Sequence, residues 1–302
     1  MITILGPTAS GKTRLAALVA SNINGEVISA DSRQVYRGMD LGTGKDYADY
    51  LVDGKKIPVH LIDIVEPGYE YNVYEYQRDF TLALQEIDSR GKIPVLCGGT
   101  GLYLEAVLKG YHLLKVPVNN TLREELTHKT GEELSEYLAL LRPLHNVSDT
   151  SDRERLVRAI EIQTFYRSNS EMHLQYPEIQ SVIFGIHFER QAIRQRITER
   201  LQKRLESGMV EEVQQLLATG LPADKIKFYG LEYRFLTQYI LGEIDYERMF
   251  QLLNTAIHQF AKRQMTWFRR MERSGIKIHW IDGTLQEEEK VQIVMERVNN
   301  FV

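Results

Sequence analysis

The feature that most constrains the fold of this chain is a glycine-rich loop close to its start. Residues Gly6–Thr13 read GPTASGKT and match the pattern G-x-x-x-x-G-K-[ST] at every fixed position. The apolar run Ile2–Leu5 precedes the loop and a helical pattern, Thr13–Ile23, follows it. This strand–loop–helix context is the one that a phosphate-binding loop requires. The sequence therefore predicts an α/β domain that binds a polyphosphate.

Each residue type of the loop has a physical role in holding phosphate. Glycines let successive backbone N–H groups face one anion, and the N-terminus of the following helix adds partial positive charge. Lys12 supplies a point charge, and the hydroxyl of Thr13 can bind Mg²⁺, which we expect as the cofactor. The predicted phosphate-binding residues are Gly6, Pro7, Thr8, Ala9, Ser10, Gly11, Lys12 and Thr13.

Short apolar runs alternate with helical patterns along the chain, which is typical of a parallel sheet covered by helices on both faces. Long helices are predicted over Arg190–Ala218 and Asp245–Arg273, and Asn72 is a predicted helix N-cap. From about residue 117 to residue 179 helical patterns occur without a convincing strand. The predicted strands are Ile2–Leu5, Glu26–Ala30, Val59–Val65, Ile93–Cys97, Val182–Phe188 and Ile278–Ile281. We therefore predict an α/β catalytic core of residues 1–116 and 180–302 with an all-helical insertion domain of residues 117–179.

Composition limits the environment of the protein more than its fold. The single cysteine, Cys97, lies in an apolar run, which excludes an internal disulfide and indicates a buried thiol in a reducing compartment. No signal peptide and no run of about 18 apolar residues is recognisable, so we expect a cytoplasmic protein that does not enter a membrane. No heptad pattern or internal repeat is recognisable, so we expect a monomer.

Two carboxylates follow predicted strands and are candidates for chemistry. Asp31 comes directly after the strand Glu26–Ala30, where ligands of open α/β sheets bind, so it is expected near Lys12. It could ligate Mg²⁺, act as a general base, or only cap a turn. Asp63 follows the apolar segment Val59–Ile62 and is a rival as the metal partner. The local spacing does not separate these options.

Several longer segments resemble the tRNA dimethylallyltransferase family, also called tRNA isopentenyltransferases. The matching segments, in the order of the family, are GPTASGKT at Gly6–Thr13, ISADSRQVYRGMDLGTGK at Ile28–Lys45, HLIDIVEP at His60–Pro67, PVLCGGTGLYL at Pro94–Leu104, RLVRAIEI at Arg155–Ile162 and FAKRQMTWFRR at Phe260–Arg270. The resemblance implies transfer of a dimethylallyl group from dimethylallyl diphosphate to N6 of adenine 37 in the anticodon loop of tRNA. It also implies a P-loop NTPase-like core with a helical insertion, dependence on Mg²⁺ and release of diphosphate.

The resemblance also assigns roles to individual residues. Asp31 is implied as the general base, Thr100 as a residue beside the target adenine, and Lys12 and Arg200 as ligands of the donor diphosphate, with Asp31, Thr100 and Lys12 as the catalytic set. Contacts with tRNA are implied for Asp31, Ser32, Arg33, Gln34, Thr100, Arg123, Glu154, Arg155, Leu156, Val157 and Arg158.

Two basic stretches offer an acidic chain, of formal net charge −4, a means of binding RNA or the diphosphate. Residues Arg190–Arg204 have a local balance of +5, and residues Phe260–Arg273 a balance of +4. The aromatic residues of the second stretch, Trp267 and Phe268, are expected in the core instead.

Two segments depart from the family pattern. Gly42–Asp46 reads GTGKD where GTAKP is usual, and Lys227–Tyr233 retains only the glycine of a segment like A-I-G-Y-[KR]-[EQ].

Other functions use the same loop, because it grips phosphate whatever is attached to it. The main alternative is a small-molecule or nucleoside kinase that uses ATP. A second is a regulatory or RNA-binding protein without chemistry, which predicts the loss of Lys12, Thr13 or Asp31, yet all of them are present.

Overall fold

The computed structural model describes residues 1–141, 153–169, 176 and 179–299. The chain divides into two compact units, which are residues 1–110 with 178–302 and residues 111–177. Among the described residues, none of the helices combines the length and the apolar character that a membrane crossing needs.

The first unit is built on a parallel sheet. Its strands are β1 (Ile2–Leu5), β2 (Gly25–Ala30), β5 (Val59–His60), β6 (Ile93–Gly98), β7 (Val182–His187) and β8 (Ile278–Asp282). Their order in the sheet is β5-β2-β6-β1-β7-β8, and every neighbouring pair is parallel. A short antiparallel pair, β3 (Leu51–Val52) and β4 (Lys55–Lys56), lies outside this sheet. The predicted α/β fold with a mainly parallel sheet is confirmed.

Helices cover both faces of the sheet because successive strand residues point to opposite sides. Ile4 packs in one apolar cluster with helix α1 (Lys12–Asn22). Leu5 packs in another with helices α2 (Val73–Ser89), α3 (Gly101–Leu108) and α11 (Tyr246–Arg273). A third cluster joins helices α7 (Arg190–Glu206), α8 (Met209–Ala218), α10 (Leu231–Ile240) and α11 to Val35, Tyr36 and Met39, which follow β2. The helices of this unit are α1 (Lys12–Asn22), α2 (Val73–Ser89), α3 (Gly101–Leu108), α7 (Arg190–Glu206), α8 (Met209–Ala218), α9 (Ala223–Phe228), α10 (Leu231–Ile240), α11 (Tyr246–Arg273) and α12 (Glu287–Asn299).

Helix boundaries follow the capping residues in the sequence. The side chain of Asn72 accepts a hydrogen bond from the backbone N–H of Glu75, and the carboxylate of Glu75 accepts one from the backbone N–H of Asn72. The predicted N-cap is confirmed. Asp245 caps α11 with a single bond, which its side chain accepts from the backbone N–H of Arg248.

Two predicted elements are wrong in extent. The strand predicted over Val59–Val65 ends at His60, because Leu61 and Asp63 have backbone φ angles of 62° and 55°, which a strand does not allow. The helix predicted over Arg190–Ala218 is divided into α7 and α8 at Gly208, whose φ is 100°.

The second unit is helical in its described residues. Helices α4 (Asn120–Leu126), α5 (Gly131–Leu141) and α6 (Arg153–Ser168) pack around a small apolar core. The core residues are Leu122, Leu126, Leu134, Leu138, Leu156 and Ile160.

Candidate active site

The register of three adjacent strands brings the predicted site residues to one edge of the sheet. Gly98 at the end of β6 pairs with Leu5 at the end of β1 and with Ala30 at the end of β2. The next residues along each strand start the phosphate loop, the segment at Asp31 and the segment at Thr100. Because parallel strands end at the same edge, these segments lie side by side.

The phosphate loop folds by using the left-handed region of backbone space. Gly11 has a φ of 80° and Ala9 a φ of 62°, and α1 begins directly afterwards at Lys12. The Lys12 ammonium donates to the carbonyl of Pro7 at 3.3 Å, and its burial lowers its pKa. The hydroxyl of Ser10 is buried without a hydrogen-bond partner among the described residues. The Ser10 hydroxyl packs against Gly6, where a Cβ would lie 2.6 Å from it, so this position of the loop requires glycine.

Gln264 on α11 joins the phosphate loop to the segment that carries Thr100. Its Oε1 accepts from the backbone N–H of Thr8 at 2.9 Å, and its Nε2 donates to the carbonyl of Gly99 at 2.9 Å. The side chain is 6% exposed, so both bonds are shielded from water. The sequence prediction missed this residue, although it lies within the matched segment Phe260–Arg270.

Asp31 and Thr100 are connected through the backbone. The Thr100 hydroxyl oxygen accepts from the N–H of Ser32 at 3.0 Å, and the Thr100 N–H donates to the carbonyl of Ala30 at 3.2 Å. The N–H of Arg33 donates to Oδ1 of Asp31 at 2.9 Å, which fixes the carboxylate. Among the described residues, no hydrogen-bond donor contacts Oδ2 of Asp31. This oxygen is thus available to accept a proton.

Arg200 reaches the phosphate loop from α7. Its Nη1 donates to the hydroxyl of Thr8 at 3.2 Å, and its Nη2 donates to Asp46 at 2.7 Å. Arg204, one turn further along α7, donates to the same carboxylate at 2.9 Å. Burial opposes the ionisation of Asp46, but the charges of the two arginines outweigh burial and lower its pKa. The sequence prediction named Arg200 for the diphosphate, included Arg204 only as part of the basic stretch Arg190–Arg204, and did not include Asp46 in the site.

The loop that carries Asp46 is held by Glu212 on α8. The carboxylate of Glu212 accepts the backbone N–H groups of Asp40, Leu41 and Gly42 at 2.7–3.0 Å. It also accepts the hydroxyl of Tyr233 at 2.6 Å. A carboxylate that satisfies several N–H groups fixes the backbone firmly, so this loop has a defined position beside the phosphate loop.

The rival carboxylate, Asp63, is engaged elsewhere. It pairs with the buried ammonium of Lys45 and accepts from the hydroxyl of Tyr47. No group of three or more His, Cys, Asp or Glu side chains suited to a metal ion occurs in the described part of the chain. A magnesium ion needs few protein ligands when substrate phosphates and water complete its shell. Thr13 lies on the first turn of α1, and its binding of Mg²⁺ stays a prediction.

The other residues predicted to contact tRNA in the first unit differ in accessibility. Ser32 and Arg33 are half-buried, and the Arg33 guanidinium lies 5.7 Å from the ring centre of Phe228. Gln34 is 9% exposed, and its amide bonds to the hydroxyl of Ser29 and the carbonyl of Gly44. The tRNA contacts of these residues stay predictions.

In the second unit, two residues predicted to contact RNA form ion pairs with the buried carboxylate of Glu161. Arg123 donates to Glu161 at 2.7 and 2.9 Å, and Arg158 donates to it at 2.9 Å. Burial raises the pKa of Glu161, but these bonds and the N–H of Asn119 outweigh it and bring the pKa to about 2. Glu154 and Arg155 are exposed, Val157 is half-buried and Leu156 is buried. The contacts of all these residues with tRNA stay predictions.

Comparison with known proteins places this geometry in a family. The chain matches the family described as "IPP transferase" over residues 34–271. It is 57% identical over 300 residues to tRNA dimethylallyltransferase 1 of Parabacteroides distasonis, covering 99% of this chain and 98% of that protein. It is 54% identical over 301 residues to tRNA dimethylallyltransferase 2 of Bacteroides fragilis, covering 100% and 98%.

Solved structures agree with these relatives. The full-length tRNA isopentenylpyrophosphate transferase of Bacillus halodurans superposes with a TM-score of 0.72 at 30% identity, covering 99% of this chain and 95% of that one. The tRNA delta(2)-isopentenylpyrophosphate transferase of Staphylococcus epidermidis superposes with a TM-score of 0.70 at 30% identity, covering 100% and 99%. The comparisons favour a prenyltransferase over the kinase alternative, and the resemblance found in the sequence is confirmed. The chain belongs to the IPP transferase family.

Proposed function

We propose that this chain transfers a dimethylallyl group from dimethylallyl diphosphate to N6 of adenine 37 in the anticodon loop of tRNA and releases diphosphate. The observation that carries the proposal is the meeting of Asp31 and Thr100 beside the phosphate loop at one edge of the sheet. The relatives named as tRNA dimethylallyltransferases support this choice of substrates.

The donor binds through its diphosphate. Backbone N–H groups of the loop, the Lys12 ammonium and the Arg200 guanidinium supply the positive charge and hydrogen bonds that a leaving diphosphate needs. Thr13 would hold Mg²⁺ against the phosphates. When bound, this ion would neutralise part of the charge that develops on the leaving group.

The acceptor amine needs a base because its lone pair is delocalised into the adenine ring. In the proposed step the N6 nitrogen attacks C1 of the dimethylallyl group, and the bond from C1 to the diphosphate oxygen breaks. The electron pair of that bond leaves with the diphosphate, and the N6 proton passes to Asp31. The N–H of Arg33 holds Oδ1, so Oδ2 is the atom that takes the proton. General base catalysis of this kind contributes about 10²–10⁴ in rate.

The tRNA is proposed to contact both units. Adenine 37 has to leave its stack to reach Asp31, because base-modifying enzymes act on extruded bases. Ser32, Arg33 and Thr100 surround that position in the first unit. In the second unit, Arg155, whose side chain is exposed, is proposed as a phosphate contact. We further propose that the protein works in the cytoplasm as a monomer.

The test is prenyl transfer by a variant that lacks only the base. Asp31→Asn keeps an oxygen for the N–H of Arg33 but accepts a proton poorly. With Mg²⁺, labelled dimethylallyl diphosphate and unmodified tRNA bearing adenines 36 to 38, the variant should transfer label at least about 100-fold more slowly. Its donor affinity should be unchanged.

The control is Asp53→Asn, which removes the same charge at an exposed turn where asparagine tolerates the φ of 49°. This variant should have wild-type activity. Full activity of Asp31→Asn would refute the role of the base. Turnover of ATP by the wild-type protein without prenyl transfer would refute the proposed function as a whole.

A further inference from the structure

An ion-pair cluster beside the phosphate loop has no assigned role. The carboxylate of Asp46 bridges two arginines, with Oδ2 at 2.7 Å from Arg200 Nη2 and Oδ1 at 2.9 Å from Arg204 Nη2. Arg200 also contacts Thr8 of the phosphate loop. The bridging carboxylate therefore lies next to the place where the loop holds phosphate.

The backbone at Gly44 is built to let both guanidiniums approach. Gly44 has a φ of 80°, and a Cβ at this position would lie 2.8 Å from Nη2 of Arg200 and 2.8 Å from Nη2 of Arg204. A side chain larger than hydrogen would displace the arginines. The close approach of two like charges is thus a built feature, although residues four apart on a helix repel when their charges match.

The electrostatics require a counter-ion whenever no anionic substrate is bound. The side chain of Arg204 is only 11% exposed, and a buried charge needs a partner. Lys12 adds a further positive charge nearby. Glu232 lines the same small cavity as Thr8, Arg200 and Arg204, but among the described residues it is Asp46 whose carboxylate accepts hydrogen bonds from both arginines. Asp46 is therefore the main counter-ion of the two arginines.

A carboxylate offers arginine the same two-oxygen edge that a phosphate offers. We propose that Asp46 occupies the place of the donor diphosphate on Arg200 and Arg204, and that the diphosphate replaces Asp46 as the hydrogen-bond acceptor of both guanidiniums when it binds. Arg204 is then a second arginine that binds the prenyl donor. This inference rests on the proposed function for the identity of the donor. Competition from Asp46 weakens the hold on diphosphate and speeds the release of the product.

The test measures binding of inorganic diphosphate by calorimetry, without tRNA or prenyl donor. Asp46→Asn removes the competing charge and should bind diphosphate about tenfold more tightly, as expected for one charge-assisted contact. Arg204→Met keeps the buried aliphatic packing and should bind it about tenfold more weakly. Asp40→Asn is the matched control, because Asp40 lies on the same loop but pairs with Lys45 at 3.0 Å, and its affinity should equal that of the wild type.

If Asp46 has only a structural role, Asp46→Asn should not bind diphosphate more tightly than the wild type does. Unchanged or weaker binding by Asp46→Asn would overturn the proposal, since the carboxylate would then only hold the arginines in place. Wild-type affinity of Arg204→Met would overturn it independently, even if Asp46→Asn did not fold. Because prenyl transfer is not measured, failure of the proposed function would appear as missing transfer activity with these affinities unaffected.

Discussion

Gln264 offers the sharpest test of how the active site is held together. Its side-chain amide hydrogen-bonds both to Thr8 of the phosphate loop and to Gly99, the residue before Thr100. Replacement by alanine removes both hydrogen bonds and leaves the N–H of Thr8 and the carbonyl of Gly99 without their partner. The two catalytic segments then lose their common support.

The expected cost follows from the burial of these groups. A buried polar group left without a partner costs about 1–3 kcal/mol, so Gln264→Ala should lower the free energy of unfolding by about 2–4 kcal/mol. In a unit of this size that corresponds to a fall in melting temperature on the order of 10 °C. We also expect the KM for the donor to rise about tenfold, since the phosphate loop is no longer fixed at Thr8.

The assay combines thermal melting with steady-state prenyl transfer. Thr266→Ala is the matched control, because Thr266 is exposed on the same helix and its hydroxyl bonds only to the carbonyl of Lys262 one turn earlier. This control should melt and turn over like the wild type. If Gln264→Ala kept both the wild-type melting temperature and the wild-type donor KM, the linking role of the amide would be refuted.

Two further predictions concern packing and charge. Folding lowers the pKa of Glu161 to about 2, so its ion pairs stabilise the helical unit fully above pH ~4.5 and lose this effect as the pH falls towards 2. In the wild type, hydrogen exchange in α5 and α6 should therefore become faster over that pH range. In Glu161→Gln this pH dependence should be lost. Gly101→Ala places a Cβ against the indole of Trp267 and should cost about 1–3 kcal/mol in thermal unfolding, whereas Gly131→Ala, with open space around it, should not destabilise.

Local sequence signals predicted most of the fold because the strands and helices are encoded by periodicity and capping. The failures have identifiable causes. The strand after Pro58 ends at His60 because Leu61, the next residue, has a left-handed backbone with a φ of 62°, and the apolar pattern of this segment gives no sign of that turn. The break between α7 and α8 was visible in principle, since Gly208 interrupts the helical pattern.

The arrangement of the candidate site was predictable where it depends on a contiguous motif, and not where it depends on distant contacts. The phosphate loop and Asp31 each follow a strand directly. Asp46 meets Arg200 across 154 sequence positions, and Gln264 meets Thr8 across 256. Such pairings are set by how helices pack on the sheet, and one sequence contains no local signal for them.

The site therefore divides into parts with different physical origins. Strand ends and the loop backbone provide phosphate binding, which any P-loop protein could use. Side chains from three helices, namely Arg200 on α7, Glu212 on α8 and Gln264 on α11, then place the segments relative to one another. Substitutions among these helical residues should change donor affinity and release while the sequence of the phosphate loop is unchanged. The two departures from the family pattern, at Asp46 and around Glu232, both lie against Arg200 and Arg204, where charge can be adjusted without altering the loop.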